Sequence, residues 1–297
     1  MIKKIFRPLF NVPRNMGHSV KLIFLCLLCL GSAPSTAVAG ANLLVTPTRV
    51  VFDESMRTAQ VTLMNNGTET GDFRISIINQ NMTEDGKFEA VKEGEEGLYA
   101  DSMIRYSPRQ ITLPPNQSQV IRLMLRKPKD LAEGEYRSHI LFQSIPKASK
   151  SSIESTMNSG SEGITVEIIP IVGISIPVIV RHGKLKSELK LENARFISAT
   201  EANPKPSISV DMRRSGNQSV YGDFRVIFTP SNGDAPVVIA MANGVAVYTP
   251  NTLRQFAIPM NIPPGTSLKE GNARILFLES GKDEKTGLIA ETYLQLQ

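Results

Sequence analysis

The residue types that carry most enzyme chemistry are scarce in this chain. It has three histidines and two cysteines among 297 residues. His139 lies in the strand-like stretch YRSHILF and His182 lies near a predicted corner between domains, so we interpret both as structural. No G-x-S-x-G, H-E-x-x-H, P-loop or EF-hand pattern occurs. The sequence therefore predicts a protein that is not an enzyme and that needs no cofactor.

Acidic residues between positions 84 and 96 are the remaining candidates for a cation site. They surround the Asp85-Gly86 pair, which is a typical hairpin turn. A solvated hairpin tip explains such a cluster more simply than a bound cation does. We therefore predict no metal site.

The first 39 residues have the three parts of a secretory signal peptide. Lys21 precedes the apolar stretch LIFLCLLCL (22–30), and Ala37-Val38-Ala39 forms a cleavage signal, so we expect cleavage after Ala39. Translation could start at Met1 or at Met16. The apolar stretch is shorter than the roughly 20 residues of a spanning helix, which disfavours a membrane anchor. The chain is thus expected to be exported and not to be membrane-embedded.

Removal of this segment changes the charge and the redox chemistry of the chain. The segment holds five of the 33 Lys and Arg residues, none of the 28 acidic residues and both cysteines. Residues 40–297 then carry no net charge, which removes the general electrostatic argument for a nucleic-acid partner. They also have no disulfide, so the fold must depend on hydrophobic cores, and their length suffices for two of immunoglobulin size.

The remaining sequence consists of short alternating stretches separated by turn signals. TAQVTLMNNG (58–67) and GDFRISIINQN (71–81) are typical, and residues 185–297 contain about seven more such stretches. This pattern indicates antiparallel sandwiches. We predict an all-β fold of two immunoglobulin-like domains, 40–183 and 184–297, with a polar loop over 146–163.

The stretch ITVEIIPIVGISIPVIV (164–180) carries one charge, Glu167, in seventeen residues. Twelve of its residues are β-branched, and Pro170 and Pro177 would each break a helix. The stretch is therefore a strand and not a membrane span. Its prolines indicate an edge strand.

Three segments resemble the periplasmic pilus chaperones of the chaperone–usher pathway. LVTPTRVVFDES (44–55) is similar to their first strand, and YSPRQITLPPNQSQVIRLMLRKP (106–128) to their proline-turn hairpin. IPVIVRHG (176–183) is similar to the end of their long G strand, here 164–181. The resemblance implies two sandwiches set at an angle. It also implies an ATP-independent chaperone for pilus assembly and fimbrium biogenesis, in the wider process of cell wall organization. Pilus subunits and an outer-membrane usher are the expected partners.

The resemblance also implies that the G strand completes the sheet of a subunit that lacks one strand. Alignment on Arg181 assigns four residues to the donor face, namely Val166, Ile168, Pro170 and Val172. The opposite row, with Ile169, Ile171 and Ile174, is expected to face the core. A shift of one residue would exchange the two rows.

Arg49 matches the arginine with which this family grips the C-terminal carboxylate of a subunit. The family pairs that arginine with a lysine, but Pro177 stands at the lysine position here. Three alternatives stay open: Arg49 acts alone, His182 or Lys184 replaces the lysine, or the client ends differently. Arg181 is interpreted as a structural residue of the domain corner.

A structural pilin or tip adhesin is the alternative function. Such a subunit would carry an N-terminal extension of alternating apolar residues after its signal peptide. Residues 40–44 (GANLL) are too few for this extension, because the first strand begins at once. The chaperone is therefore the preferred interpretation.

Overall fold

The computed structural model describes residues 42–92, 94–146, 171–201 and 203–296. The predicted signal peptide with its cleavage site after Ala39 lies outside these residues. So do most of the predicted polar loop and the donor-face positions Val166, Ile168 and Pro170.

The first half of the chain forms two packed sheets and a small hairpin. Its eleven strands are β1 (Leu43–Thr46), β2 (Val50–Phe52), β3 (Thr58–Asn65), β4 (Gly71–Ile78), β5 (Gln80–Met82), β6 (Phe88–Ala90), β7 (Ile104–Ser107), β8 (Gln110–Leu113), β9 (Ser118–Leu125), β10 (Gly134–Ile145) and β11 (Gly173–His182). One sheet has the order β1-β3-β9-β7 and the other the order β2-β11-β10-β4-β8. A 3₁₀ turn, Asp101–Met103, precedes β7.

Alternating side chains of these two sheets enclose one core. On β3, Val61 and Leu63 are buried while their neighbours are partly exposed, which is the pattern of a strand with one face on the core. Phe52, Ile140 and Phe142 fill the centre of the same cluster. The proline-turn segment gives three strands, β7, β8 and β9, instead of the predicted two.

The second half forms a second sandwich of seven strands. They are β12 (Ser187–Ile197), β13 (Ser207–Gly216), β14 (Val220–Pro230), β15 (Val237–Val247), β16 (Leu253–Pro259), β17 (Gly271–Glu279) and β18 (Leu288–Leu296), with a short helix α1 (Glu284–Gly287) before β18. The sheets have the orders β12-β13-β16 and β15-β14-β17-β18. On β14, Phe224, Val226 and Phe228 enter a core separate from the first. The predicted all-β, two-sandwich fold is confirmed.

The β5–β6 hairpin connects the two sandwiches. The Gln255 backbone nitrogen donates to the Glu84 oxygen at 2.7 Å, and Asn251 Nδ2 donates to the Met82 oxygen at 2.7 Å. Met82 also belongs to an apolar cluster with Ile179, Ala246 and Tyr248. The hairpin thus packs against the second sandwich and is not merely a solvated tip.

The described residues lack two features that metal chemistry or a membrane-spanning helix would require. They contain no group of three His, Cys, Asp or Glu side chains that could hold a metal ion. No helix in the described ranges is long and apolar enough to cross a membrane.

Candidate functional site

Strand β11 has different neighbours along its length. It pairs with β10 from Gly173 to His182, whereas β2 covers its other side only at residues 178–180. Among the described strands nothing pairs with the second side of residues 173–177. The predicted edge strand is therefore an edge in its first half and an interior strand in its second half.

The hydrogen-bond pattern fixes which backbone groups reach the free edge. The Ser144 nitrogen donates to the Val172 oxygen at 2.9 Å, so even-numbered residues bond to β10. The backbone groups of Gly173, Ser175 and Pro177 consequently point to the free edge. Pro177 has no N–H to donate, but at this position no bond to β10 is lost.

The side chains of β11 show which face belongs to the core of the first sandwich. The row Ile174, Ile176, Val178 and Val180 packs on that core. Ile171 is 57 % exposed, so the expectation that it faces the core is wrong. The reason is the register: the core-facing row consists of even-numbered residues, and Ile171 belongs to the other row.

Val172 is the one predicted donor-face residue that is described. It is 65 % exposed, just before the first core-facing residue of β11. Val166, Ile168 and Pro170 fall outside the described residues. Their assignment to the donor face stays a prediction.

Arg49 lies directly before β2, in a cleft of about 500 Å³ formed by both sandwiches. Its guanidinium carbon is 4.5 Å from the centre of the Tyr221 ring, which is a cation–π contact. Its Nε and Nη2 are buried and have no hydrogen-bond partner among the described residues. These two nitrogens lie on the same side of the guanidinium, the side that binds a carboxylate through two parallel hydrogen bonds.

The surroundings of Arg49 lower its pKa. Burial is the largest cause, and the charge of Arg181 lowers the pKa further, while Tyr248 and Glu135 oppose the shift. An arginine stays protonated under such conditions. The cleft therefore holds a positive charge. On the side of the Arg49 guanidinium that can bind a carboxylate, no described residue accepts a hydrogen bond.

Arg181, at the end of β11, lines the same cleft. Its Nε donates to Glu135 at 3.1 Å, and Nη1 and Nη2 donate to the Gln218 amide oxygen at 3.2 and 3.1 Å with that amide correctly oriented. Glu135 also accepts from the backbone nitrogen of Ser219 at 3.1 Å. Arg181 thus holds the corner between the sandwiches, and it also places a second cation beside Arg49.

The proposed substitutes for the missing lysine have other surroundings. His182 Nδ1 lies 3.2 Å from Glu54 Oε1, and neither His182 nor Lys184 is among the residues that line the cleft. Tyr221 and Gln218, which were not predicted from the sequence, reach the cleft from the second sandwich. Tyr221 lies on β14 and Gln218 in the turn before it, neither segment carries a motif, and only the packing of the two sandwiches brings them to the Arg49 cleft.

Comparison with known proteins gives a match over the first half of the chain. Residues 42–181 match the model of the pili and flagellar-assembly chaperones, PapD N-terminal domain. No curated protein sequence is similar enough to this chain to be matched.

Several solved structures are similar at low identity. The YadV chaperone is 11 % identical, over 86 % of this chain and 99 % of that chain, with a TM-score of 0.42. The Pseudomonas aeruginosa CupB2 chaperone is 12 % identical, over 86 % and 100 %, with a TM-score of 0.40. A chain of the Salmonella enterica SafA pilin complex with the SafB chaperone is 12 % identical, over 88 % and 99 %, with a TM-score of 0.39.

A strand with a free edge beside a cationic cleft is suited to binding another polypeptide. Residues 42–181 match the PapD N-terminal domain of the pili and flagellar-assembly chaperones, which confirms the resemblance seen in the sequence. This family consists of assembly chaperones and not of enzymes, so the prediction of a non-enzymatic protein is confirmed as well.

Proposed function

We propose that the protein is a periplasmic chaperone that holds pilus subunits by donor-strand complementation and delivers them to an outer-membrane usher. The observation that carries this proposal is that Nε and Nη2 of Arg49 are buried without a hydrogen-bond partner among the described residues, in a cleft beside the end of β11. The match of residues 42–181 to the pili and flagellar-assembly chaperones supports the chaperone role. The signal-peptide pattern of residues 1–39, with cleavage after Ala39, supports export.

The free edge of β11 supports the way in which a subunit would be held. A subunit strand can pair with the outward backbone groups of Gly173 and Ser175, which would give affinity without dependence on sequence. Side chains before β11 would enter the groove of the subunit, with Val166, Ile168, Pro170 and Val172 as the donor row. At about 1.5–3 kcal/mol per buried side chain, four such residues contribute roughly 6–12 kcal/mol. Loss of translational and conformational freedom offsets a comparable amount.

The cleft supports an anchor for the C-terminal carboxylate of the subunit. Arg49 would bind that carboxylate with Nε and Nη2. Arg181 supplies the second positive charge that Pro177 cannot supply, since both arginines line the cleft and the charge of Arg181 contributes to lowering the pKa of Arg49. The carboxylate would thus fix where the subunit strand begins to pair with β11. We place the domain boundary after Gly183, giving domains 40–183 and 184–297.

Co-expression with fimbrial subunits tests the proposal. We expect Arg49→Ala and Ile168→Asp each to reduce the amount of subunit recovered from the periplasm by about tenfold or more, since either change removes more than 1.4 kcal/mol of binding. Arg74→Ala, an exposed residue of β4, is the matched control and should leave recovery unchanged. Unchanged recovery with both Arg49→Ala and Ile168→Asp would sink the proposal.

A further inference from the structure

A groove crosses the outer face of the first sandwich and shares no lining residue with the Arg49 cleft. Its volume is about 630 Å³, which is within the range of ligand-binding clefts. Residues of three neighbouring strands line it, namely Thr58, Ala59 and Gln60 of β3, Arg105, Tyr106 and Ser107 of β7, and Arg122, Leu123 and Met124 of β9.

The strand register arranges the floor of this groove in rows. Met124 lies between Thr58 and Arg105, and Arg122 lies between Gln60 and Ser107. Residues directly opposite each other on neighbouring strands share one face of the sheet. The rows therefore extend across β3, β9 and β7 on the face that points away from the core.

Methionine side chains give this face its apolar surface. Met124 is 46 % exposed and Met56 is 36 % exposed. The backbone nitrogen of Leu125 donates to the Arg57 oxygen at 2.8 Å, so the pairing of β3 with β9 continues by one residue towards Met56. Methionine is flexible and polarizable, and it is common on surfaces that accept varied apolar partners.

The same face is strongly basic. Arg105 and Arg122 line the groove, and Arg126 continues the outward row two residues after Met124. Strands β3, β7 and β9 contain no Asp or Glu. Among the described residues, none of these three arginines forms an ion pair within 4.0 Å. This is a local concentration of charge, because residues 40–297 have no net charge.

Strand β7 provides backbone groups beside these side chains. It ends the sheet order β1-β3-β9-β7 and has β9 as its one partner among the described strands. An extended segment can add to such an edge through main-chain hydrogen bonds.

We propose that this groove binds an extended segment of a partner polypeptide in which acidic residues alternate with apolar ones. The acidic side chains pair with Arg105, Arg122 and Arg126, and the apolar side chains cover Met124 and Met56. The surface uses neither Arg49 nor any residue of β11. A client can therefore occupy the cleft while the second partner occupies the groove.

Fluorescence anisotropy with labelled ten-residue peptides tests the proposal on the purified protein. One peptide alternates Glu with Leu, and a second has Lys in place of Glu. We expect the acidic peptide to bind, the basic peptide not to bind, and high salt to weaken binding, because exposed charges are screened.

Variants locate the binding site. Arg122→Glu and Met124→Asp should each weaken binding of the acidic peptide by about tenfold or more, since like charges at a contact are costly. Arg74→Glu is the control, because Arg74 is an exposed arginine on the other sheet of the same sandwich. Thermal unfolding confirms that each variant is folded, and Arg122→Gln gives a milder second variant.

Several outcomes would overturn the proposal. The proposal fails if the acidic peptide does not bind, if the basic peptide binds equally well, or if neither Arg122→Glu nor Met124→Asp changes the affinity for the acidic peptide. Dimers that Met124→Asp dissociates would instead assign the face to a second copy of the chain. Binding to anionic phospholipid vesicles that depends on Arg122, without peptide binding, would assign it to a membrane surface.

Discussion

Two largely buried arginines of this protein differ in how their nitrogens are satisfied. All three nitrogens of Arg214 donate to backbone oxygens: Nε to Asn251 at 2.8 Å, Nη1 to Gly216 at 2.8 Å and Gln218 at 3.0 Å, and Nη2 to Pro250 at 3.4 Å. Arg49 has no such partner for Nε and Nη2 among the described residues. Burial lowers the pKa of both side chains, so burial alone does not distinguish them.

Arg214 is therefore an arginine that stabilises the fold, whereas Arg49 is available for a ligand. A buried donor without a partner costs stability, and natural proteins pair most of their buried polar groups. Arg214 cross-links the β13–β14 turn to the segment before β16. Arg49 keeps its carboxylate-binding side unpaired within a cleft, which is expected of a residue whose partner is a separate molecule.

Substitution of Arg214 should have the largest effect on stability. Arg214→Met leaves four backbone oxygens without their donor, and we expect the free energy of unfolding to fall by about 3 kcal/mol or more. For a chain of this size that corresponds to a decrease in Tm of roughly 6–12 °C. Urea and thermal unfolding measure the change. A loss below about 1 kcal/mol would contradict the structural role assigned to Arg214.

His139 differs from both arginines, because it is a buried ionisable side chain that can lose its charge. Both of its ring nitrogens lack a partner among the described residues, and Phe88 packs edge-on at 4.8 Å. Burial, with a smaller contribution from the charge of Arg137, lowers the pKa of His139 from 6.5 to about 3. The histidine is therefore neutral in the folded protein at pH 7, whereas Arg49 cannot become neutral.

The stability of the protein should accordingly fall in mild acid. Between about pH 6.5 and 3 the unfolded chain binds a proton at His139 that the folded chain does not bind, so the stability present above pH 6.5 is lost as the pH falls. We expect this residue to account for about 2 kcal/mol of lost stability between pH 7 and pH 5. Urea titrations of the wild type and His139→Leu measure the difference. Parallel pH profiles for the two proteins would contradict the buried, neutral state of His139.

The sequence predicts most strands because one face of each strand is buried. Alternation alone locates β3 at 58–65 and β4 at 71–78 within three residues. It does not predict that β2 pairs in parallel with residues 178–180, because that pairing joins segments more than 120 residues apart. The free edge of β11 follows from where β2 ends, so it too depends on the tertiary structure.

The candidate site is only partly predictable for the same reason. The first-strand motif identifies Arg49, and its position in the cleft agrees with that prediction without testing its role. Tyr221 and Gln218 come from the second sandwich and lie in ordinary strand and turn sequence. The sequence also suggests that Arg181 is structural, whereas the structure shows that one side chain both pairs with Glu135 and lines the cleft.

Substitution of Arg49 should have the smallest effect on stability. Arg49→Met removes a charge that burial disfavours and a cation–π contact with Tyr221, and these two changes oppose each other. We therefore expect the free energy of unfolding to change by less than about 1 kcal/mol, in contrast to the Arg214→Met variant. The same unfolding experiments measure it, with Arg74→Met as the exposed control. A loss as large as that of Arg214→Met would mean that Arg49 holds the fold together, and its unpaired nitrogens would then no longer argue for a carboxylate ligand.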